Sequence, residues 1–183
     1  MFRKSGFYAQ LFYFGDEDCS HVTHYVNVRG IVKLKSRSWR TPGGIQARYT
    51  MSEVNVIPFT NEKSEQFSKL MKHHCPDAKV KHVSKNRKFS VFKYPLRTKY
   101  NDFEKSEDFD CTKLFNITMN ELQLIRVERR KLKSRQTGSV VKLNELYLGD
   151  VSTDMTSRTQ YVPTYYQAAL VKAKVNLTGS LIN

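Results

Sequence analysis

Cysteine and histidine side chains are concentrated in two short stretches of the chain, residues 19–24 and 73–75. Thiolate and imidazole groups are the ligands that zinc prefers, so these stretches could form a metal site if folding brought them together. Their spacing matches no zinc finger or zinc ribbon, and two adjacent histidines seldom bind the same ion. We therefore predict no metal and no cofactor, and whether the two stretches meet stays open. The residues concerned are Cys19, His21, His24, His73, His74 and Cys75.

Motifs for covalent or acid–base catalysis are missing from the sequence. It contains no nucleophile elbow, phosphate-binding loop or dinucleotide-binding glycine pattern, and its glycines stand singly except at Gly43 and Gly44. Five of the seventeen acidic residues lie together in 102–110, where like charges favour exposure to solvent over paired acid–base work. The sequence therefore predicts a protein that is not an enzyme.

Positive charge is the strongest chemical signal in the sequence. Thirty-one Lys and Arg residues against seventeen Asp and Glu give a net charge of +14, which attracts nucleic acid, anionic lipid or an acidic protein. Two segments rich in cations, 79–99 and 126–135, are predicted to bind polyanions. The predicted polyanion-binding residues are Lys79, Lys81, Lys85, Arg87, Lys88, Lys93, Arg97, Lys99, Arg126, Arg129, Arg130, Lys131, Lys133 and Arg135.

Aromatic residues accompany the first of these segments. Phe89, Phe92, Tyr94 and Tyr100 could stack on unpaired bases beside the cations that neutralise phosphates. Alternatively, these rings form the core-facing side of a hairpin, and the charged side still faces outward. Because Lys and Arg serve RNA, nucleoprotein and anionic lipid alike, the sequence does not choose among these partners.

A second concentration of aromatic residues lies near the start of the chain. Six of the eight residues in 7–14 are large and apolar or aromatic. They could form an ordinary core strand, or an aromatic arm over residues 1–15 that joins copies in a homo-oligomer or lies in a lipid interface. The predicted self-association or membrane residues are Phe7, Tyr8, Leu11, Phe12, Tyr13 and Phe14.

Cysteine usage and hydropathy predict the compartment. Three widely spaced cysteines indicate no disulfide framework, which favours reduced thiols in the cytoplasm. The apolar run 7–14 is too short and too aromatic for a signal peptide. No stretch approaches the roughly 18 apolar residues that span a membrane. We therefore expect a cytoplasmic protein with at most peripheral membrane contact.

Hydrophobic patterning predicts an α+β fold, with a mainly antiparallel sheet and one or two helices packed on it. The longest alternation places Val26, Val28 and Val32 on one face of a strand, with charged residues on the other face. The predicted strands are 7–14, 24–35, 47–57, 140–148 and a stretch within 165–177.

One helix is predicted after the third of these strands. Thr60 can cap its free amides, and Phe67, Leu70 and Met71 then fall on one apolar face. The helix should end before Pro76.

The remaining segments have less regular patterns. A hairpin is predicted over 79–100, with its turn at 84–87. Residues 114–135 fit a helix and a strand about equally well, so their type stays open. We predict a single domain over 1–183, with an exposed, mobile acidic loop at 101–111.

Part of the chain resembles a viral family. Residues 24–41, His-Tyr-Val-Asn-Val-Arg-Gly-Ile-Val-Lys-Leu-Lys-Ser-Arg-Ser-Trp-Arg-Thr, resemble the opening strand of rhabdovirus matrix proteins, where an alternating strand also runs into a basic turn. Residues 114–118, Leu-Phe-Asn-Ile-Thr, are similar to a later strand of that family. Length and basicity are similar to the plant-infecting, cytorhabdovirus-like members. The Pro-rich budding motif of the animal viruses is missing.

The resemblance implies a viral matrix protein that self-associates and bridges the RNA nucleocapsid to an anionic membrane during virion assembly. On that hypothesis the basic segments meet nucleocapsid or lipid, and the protein is virion-associated in the host cytoplasm. The alternative is a monomeric viral nucleic-acid-binding module, such as an RNA-binding protein, a silencing suppressor or a movement protein.

Overall fold

The computed structural model describes residues 5–94, 109–133, 140–154 and 156–171. Strands account for 45% of the structure, and the described residues contain a single α-helix, so the predicted α+β fold is confirmed. The elements are β1 (Ser5–Phe14), β2 (Val22–Arg37), β3 (Ile45–Pro58), α1 (Asn61–His74), β4 (Phe89–Lys93), β5 (Phe109–Asp110), β6 (Leu124–Lys133), β7 (Val140–Leu148) and β8 (Leu170–Val171).

The strands pair in the order β1-β2-β3-β6-β7-β8, and β4 pairs with both β3 and β5. The pairs β1–β2, β3–β4, β3–β6, β4–β5, β6–β7 and β7–β8 are antiparallel. The chain forms two compact units, one from residues 1–33 and 49–118 and the other from 34–48 and 119–183. Strands β2 and β3 supply residues to both units. Whether the chain acts as the predicted single domain stays a prediction.

Strand β2 follows the alternation that the sequence predicts. Val26, Val28 and Val32 are buried, whereas Arg29 and Lys33, which directly follow two of them, are exposed. Side chains on a strand point alternately to opposite faces, so this pattern gives one apolar and one charged face. The predicted strands at 7–14, 47–57 and 140–148 are also confirmed, as β1, β3 and β7.

Helix α1 begins and ends where the sequence predicts. The Lys63 amide donates a hydrogen bond to the Thr60 hydroxyl at 3.2 Å, which satisfies one of the free donors of the first turn. Phe67 and Met71 are buried on the inward face, and Leu70 is half-buried. No helix in the described residues is long and apolar enough to cross a membrane.

A disulfide joins Cys75 to Cys111, with their Cα atoms 6.1 Å apart, so the prediction of reduced thiols is wrong for these two residues. Cys75 follows α1, and Cys111 follows β5, where its amide donates to the Val91 carbonyl at 2.8 Å. The β4–β5 pairing therefore brings together two cysteines 36 residues apart, which spacing along the sequence did not reveal. Cys19 is a free, exposed thiol.

The disulfide removes one of the possible metal ligands. Cys75 is bonded to Cys111, so its sulfur is not available as a thiolate ligand. In the parts of the chain that the structure describes, no three His, Cys, Asp or Glu side chains converge as metal ligands.

The hairpin predicted over 79–100 is wrong in its first arm. Within the described part of that range, residues 79–94, only β4 is a strand, and it pairs with β3 and β5 instead of with residues 79–83. The predicted turn at 84–87 does form, because the Arg87 amide donates to the Ser84 carbonyl at 3.2 Å. Residues 79–88 are therefore a loop.

In the ambiguous segment 114–135, the second half of the described residues, Leu124–Lys133, forms strand β6. Two short 3₁₀ turns, Thr112–Phe115 and Asn120–Gln123, precede β6, so the helical alternative is wrong. Residues 101–108 of the predicted acidic loop lie outside the described residues, and Phe109–Asp110 form β5. Most of the predicted 165–177 alternation also lies outside them, beyond the short β8.

His24 is a partly buried histidine in the core of the first unit. Its ring stacks on Tyr13 at 4.5 Å between ring centroids and meets the edge of Phe67 at 5.1 Å. Burial, and secondarily the charge of Lys63, lower the pKa of His24 from 6.5 to about 4. The folded protein therefore keeps this ring neutral at mildly acidic pH.

We expect the free energy of unfolding to decrease as the pH falls from 6.5 to about 4. In this window the unfolded chain takes up a proton on His24 while the folded protein does not, so acid favours unfolding. Below about 4 the folded ring is protonated too, and the contribution stops growing. Urea unfolding at a series of pH values measures the slope, which should be smaller in His24→Phe, because phenylalanine keeps the stack but does not titrate.

A comparison of variants is needed because other groups also contribute to the pH dependence of the unfolding free energy. Burial raises the pKa of Glu121, and this carboxyl acts with the opposite sign, since its folded form holds a proton more tightly. His82→Phe is the matched control, because the His82 side chain is exposed in the folded protein. Equal pH slopes in wild type and His24→Phe would show that His24 does not carry the effect.

Candidate polyanion-binding surface

The basic loop, residues 79–88, is anchored to the rest of the first unit by a buried side chain and by backbone hydrogen bonds. Val83 is buried, and its amide donates to the Ser68 hydroxyl of α1 at 2.9 Å. The Asn86 amide donates to the Pro58 carbonyl at the end of β3 at 2.8 Å. Because one apolar side chain and two backbone hydrogen bonds anchor the loop, its charged side chains extend from an ordered backbone.

The basic loop presents cations without acidic neighbours in the sequence. Residues 79–94 include no Asp or Glu. Among the described residues, no carboxylate forms an ion pair with Lys81, Lys85, Arg87 or Lys88. The surface therefore carries positive charge that internal salt bridges do not neutralise. The exposed basic side chains of the loop are Lys79, Lys81, His82, Lys85, Arg87 and Lys88.

Lys93 differs from the cations of the basic loop although it belongs to the same predicted segment. It lies on β4 directly opposite Glu53 of β3, whose carboxylate is 3.7 Å from the Arg29 guanidinium. Its charge is therefore partly compensated. Arg97 and Lys99 lie outside the described residues.

The second predicted segment divides between the two faces of β6 in the second unit. On one face Arg126 pairs with Glu128, and the Arg130 guanidinium lies 3.0 Å from Glu145. Arg126 also lies over the Tyr147 ring at 5.9 Å, and the Tyr147 hydroxyl donates to Glu145 at 2.8 Å. That hydrogen bond raises the pKa of the Tyr147 phenol. Arg126 and Arg130 thus belong to an internal network, and we assign them a structural role.

The other face of β6 is more open. Arg129 and Lys131 are exposed, and together with Arg130 and with Asn144 of β7 they line a depression of ≈ 390 Å³. The backbone of Lys133 continues the strand, and Arg135 lies outside the described residues. Only Arg129 and Lys131 of this segment have described side chains that are clearly available to a ligand.

The aromatic residues of the first segment do not form a base-stacking surface with the basic loop. Phe89 is buried and packs against Phe67 and Phe115, with ring centroids 6.0 Å apart in both pairs. Phe92 is half-buried, whereas Tyr94 is exposed. The core-facing alternative therefore applies to Phe89, and Tyr100 lies outside the described residues.

The aromatic residues of β1 alternate between the two faces of an ordered strand. The odd-numbered residues of 7–13 are half-buried, whereas the even-numbered residues between them are exposed. Tyr8 donates a hydrogen bond to Asn27 at 2.9 Å. The residues 7–14 therefore belong to the sheet rather than to a detached arm. Self-association or membrane contact through the exposed face stays a prediction; that face carries Tyr8, Phe12 and Phe14.

Comparison with known families overturns the viral hypothesis. The family model described as "Adenomatosis polyposis coli down-regulated 1", a eukaryotic family, matches residues 1–181. The resemblance to rhabdovirus matrix proteins rested on one alternating strand and its basic turn, a pattern that many exposed strands share. Viral matrix and virion-assembly functions are therefore wrong for this protein, as is the alternative of a viral RNA-binding, silencing-suppressor or movement protein. Since the match covers nearly the whole sequence, the chain belongs to the Adenomatosis polyposis coli down-regulated 1 family.

Proposed function

We propose that this protein is a non-enzymatic binding module that holds a sulfated polysaccharide on its basic loop, in an oxidising compartment outside the cytosol. The observation that carries the proposal is the ordered basic loop 79–88. Its cations are exposed, its Val83 side chain is buried, and it contains no acidic residue. When such cations bind an anionic polymer, the polymer releases counterions that were condensed on it, and this release favours association.

The chemistry of the loop favours a polymer over a membrane. Val80 is half-buried and Val83 is buried, so the loop exposes charged and polar side chains and no Phe, Tyr or Trp. Proteins that bind at the surface of a bilayer usually add apolar side chains that enter the interface. A purely charged loop is better suited to the repeated anionic groups of a flexible chain.

The disulfide favours a location where the protein would meet polysaccharide rather than RNA. Disulfides persist in secreted and extracellular proteins and are rare in the cytosol and nucleus. The bond between Cys75 and Cys111 is buried, as expected of a structural disulfide. This argument replaces the expected cytoplasmic location, which rested on reduced thiols.

The test compares binding of heparin to the full chain and to two triple variants with equal charge changes. Lys85→Gln/Arg87→Gln/Lys88→Gln neutralises the basic loop. It should weaken binding about tenfold or more near physiological salt. Each lost contact leaves counterions condensed on the polymer that the wild-type side chain would have displaced. It should also flatten the dependence of log K on log salt by up to about 2. Isothermal titration calorimetry at several salt concentrations measures both quantities.

The control triple is Lys33→Gln/Arg37→Gln/Arg48→Gln, whose wild-type side chains are exposed on β2 and β3. It should weaken binding much less than the loop triple. Equal weakening would show that net charge, not the loop, drives association. Stronger binding to single-stranded RNA or to phosphatidylserine vesicles than to heparin, at matched charge concentration, would show that the partner class is wrong.

A further inference from the structure

A cavity of ≈ 300 Å³ in the second unit is lined by the end of β2, the loop that follows it, the start of β3, the start of β6, and Val162 and Pro163. Gln46 and Leu124, which are paired across β3 and β6, form adjacent parts of its wall. Pockets for small ligands begin at about this volume. The cavity is therefore large enough for a small ligand of one or two rings.

The loop beside the cavity is held in one conformation by several hydrogen bonds, of which one is the bond from the Gly44 amide to the Thr41 carbonyl at 3.1 Å. The Ser38 amide donates to the Gly44 carbonyl at 2.7 Å, and the Thr41 amide donates to the Ser38 hydroxyl at 3.1 Å. The Thr41 hydroxyl donates to the Thr164 carbonyl at 3.1 Å. A Cβ atom at Gly44 would lie 2.5 Å from the Tyr166 hydroxyl and 2.9 Å from a Leu124 methyl group, so a larger residue there would displace both side chains. The loop is thus pre-organised around the cavity.

Trp39, the only tryptophan of the chain, stands at the cavity and is 80% exposed. The Arg40 guanidinium lies 4.9 Å from the centre of its ring. A large apolar side chain left in water forfeits the free energy that burial would supply. An indole that an ordered loop keeps exposed beside a cavity offers a flat apolar surface on which a ligand ring can pack.

The chemistry of the lining defines the ligand. Lys35 and Arg40 supply two cations, of which the guanidinium can bind a carboxylate or sulfate through two parallel N–H donors. Gln46 and Gln123 supply amide donors and acceptors suited to hydroxyl groups. The indole supplies a flat apolar face. A negatively charged sugar ring needs all three kinds of group.

We propose that this cavity binds a single acidic sugar unit, a uronate or a sulfated pyranose. The apolar face of the sugar ring lies on Trp39, its anionic group is bound by Arg40 and Lys35, and its hydroxyls bond to Gln46 and Gln123. This site goes beyond the proposed function, because it lies in the second unit, uses none of the residues of the basic loop and recognises one ring instead of polymer charge.

The test titrates the full chain with a sulfated, uronate-containing disaccharide prepared from heparin. Emission from Trp39 and calorimetric heat are recorded together. We expect both signals to saturate. Cellobiose, a neutral disaccharide, and inorganic sulfate should each bind at least tenfold more weakly. Absence of both signals with the acidic disaccharide would overturn the proposal. Equal affinity for cellobiose would overturn recognition of the anion, and equal affinity for sulfate would overturn recognition of the ring.

Variants locate the site and separate it from the basic loop. Trp39→Ala and Arg40→Gln, measured by calorimetry after their circular dichroism is shown to match wild type, should each weaken disaccharide binding about tenfold. Arg48→Gln, an exposed cation outside the cavity lining, should change it less than twofold. The triple variant of the basic loop should keep wild-type affinity for the disaccharide, so either proposal can fail without the other. Loss of binding in Arg48→Gln, or unchanged binding in Trp39→Ala, would place the ligand elsewhere.

Discussion

Replacing Cys75 and Cys111 together with alanine is expected to lower the free energy of unfolding by about 3–4 kcal/mol. The disulfide closes a loop of 36 residues, and a chain linked in this way has fewer unfolded conformations to gain. Both cysteines are buried, so the loss is felt in the core of the first unit. Urea unfolding of oxidised wild type and of the double variant measures the difference.

Cys19→Ser is the matched control for that experiment. Its wild-type thiol is exposed and free, so the change should alter stability by less than about 0.5 kcal/mol. Peptide mapping of the oxidised protein without reductant should recover Cys75 linked to Cys111. A link that involves Cys19, or equal stability losses in the two variants, would show that the pairing is different.

The Phe67→Ala variant should lose about 3–5 kcal/mol of unfolding free energy. Phe67 is 5% exposed and joins α1 to three rings, His24 at 5.1 Å, Phe115 at 5.2 Å and Phe89 at 6.0 Å between centroids. Truncation removes the transfer free energy of the ring and leaves a cavity that its neighbours fill only in part. Chemical denaturation followed by far-ultraviolet circular dichroism measures the loss.

Leu70→Ala provides the comparison on the same helix. Leu70 is half-buried, so its truncation should cost clearly less than that of Phe67. The order of the two losses is the critical result. If Leu70→Ala were the more destabilising variant, the aromatic cluster would not be the centre of the first unit.

The elements that the sequence predicts well are those whose signals are local. The valines of β2 alternate at the spacing of a strand, and Thr60 has the hydroxyl that caps α1. The hairpin at 79–100 was wrong because its first arm is fixed by contacts distant in sequence. Val83 is held by Ser68 of α1, and β4 pairs with β3 instead. Periodicity alone has no information on such partners.

The site was predictable to a similar degree. The run of cations without acids in 79–94 is visible in the sequence. The neutralisation of Arg130 by Glu145 is not, since it requires the register of β6 against β7. The disulfide required the β4–β5 pairing in the same way. Trp39 between basic residues in a glycine-rich loop was a signal for the cavity, but its walls come from Gln46 and Leu124 of paired strands.

The division of each unit into two separate stretches has a consequence for synthesis of the protein. Residues 1–33 and 49–118 complete the first unit before most of the second has left the ribosome. The stretch Leu34–Arg48 emerges early, yet the β6 residues that pair with Ile45 and Gln46 emerge about eighty residues later. The Thr164 carbonyl, which accepts the hydrogen bond of the Thr41 hydroxyl, emerges later still. The nascent chain therefore exposes this stretch to chaperones and proteases throughout translation of the first unit, and the cavity beside Trp39 cannot close until Val162 and Pro163 have emerged.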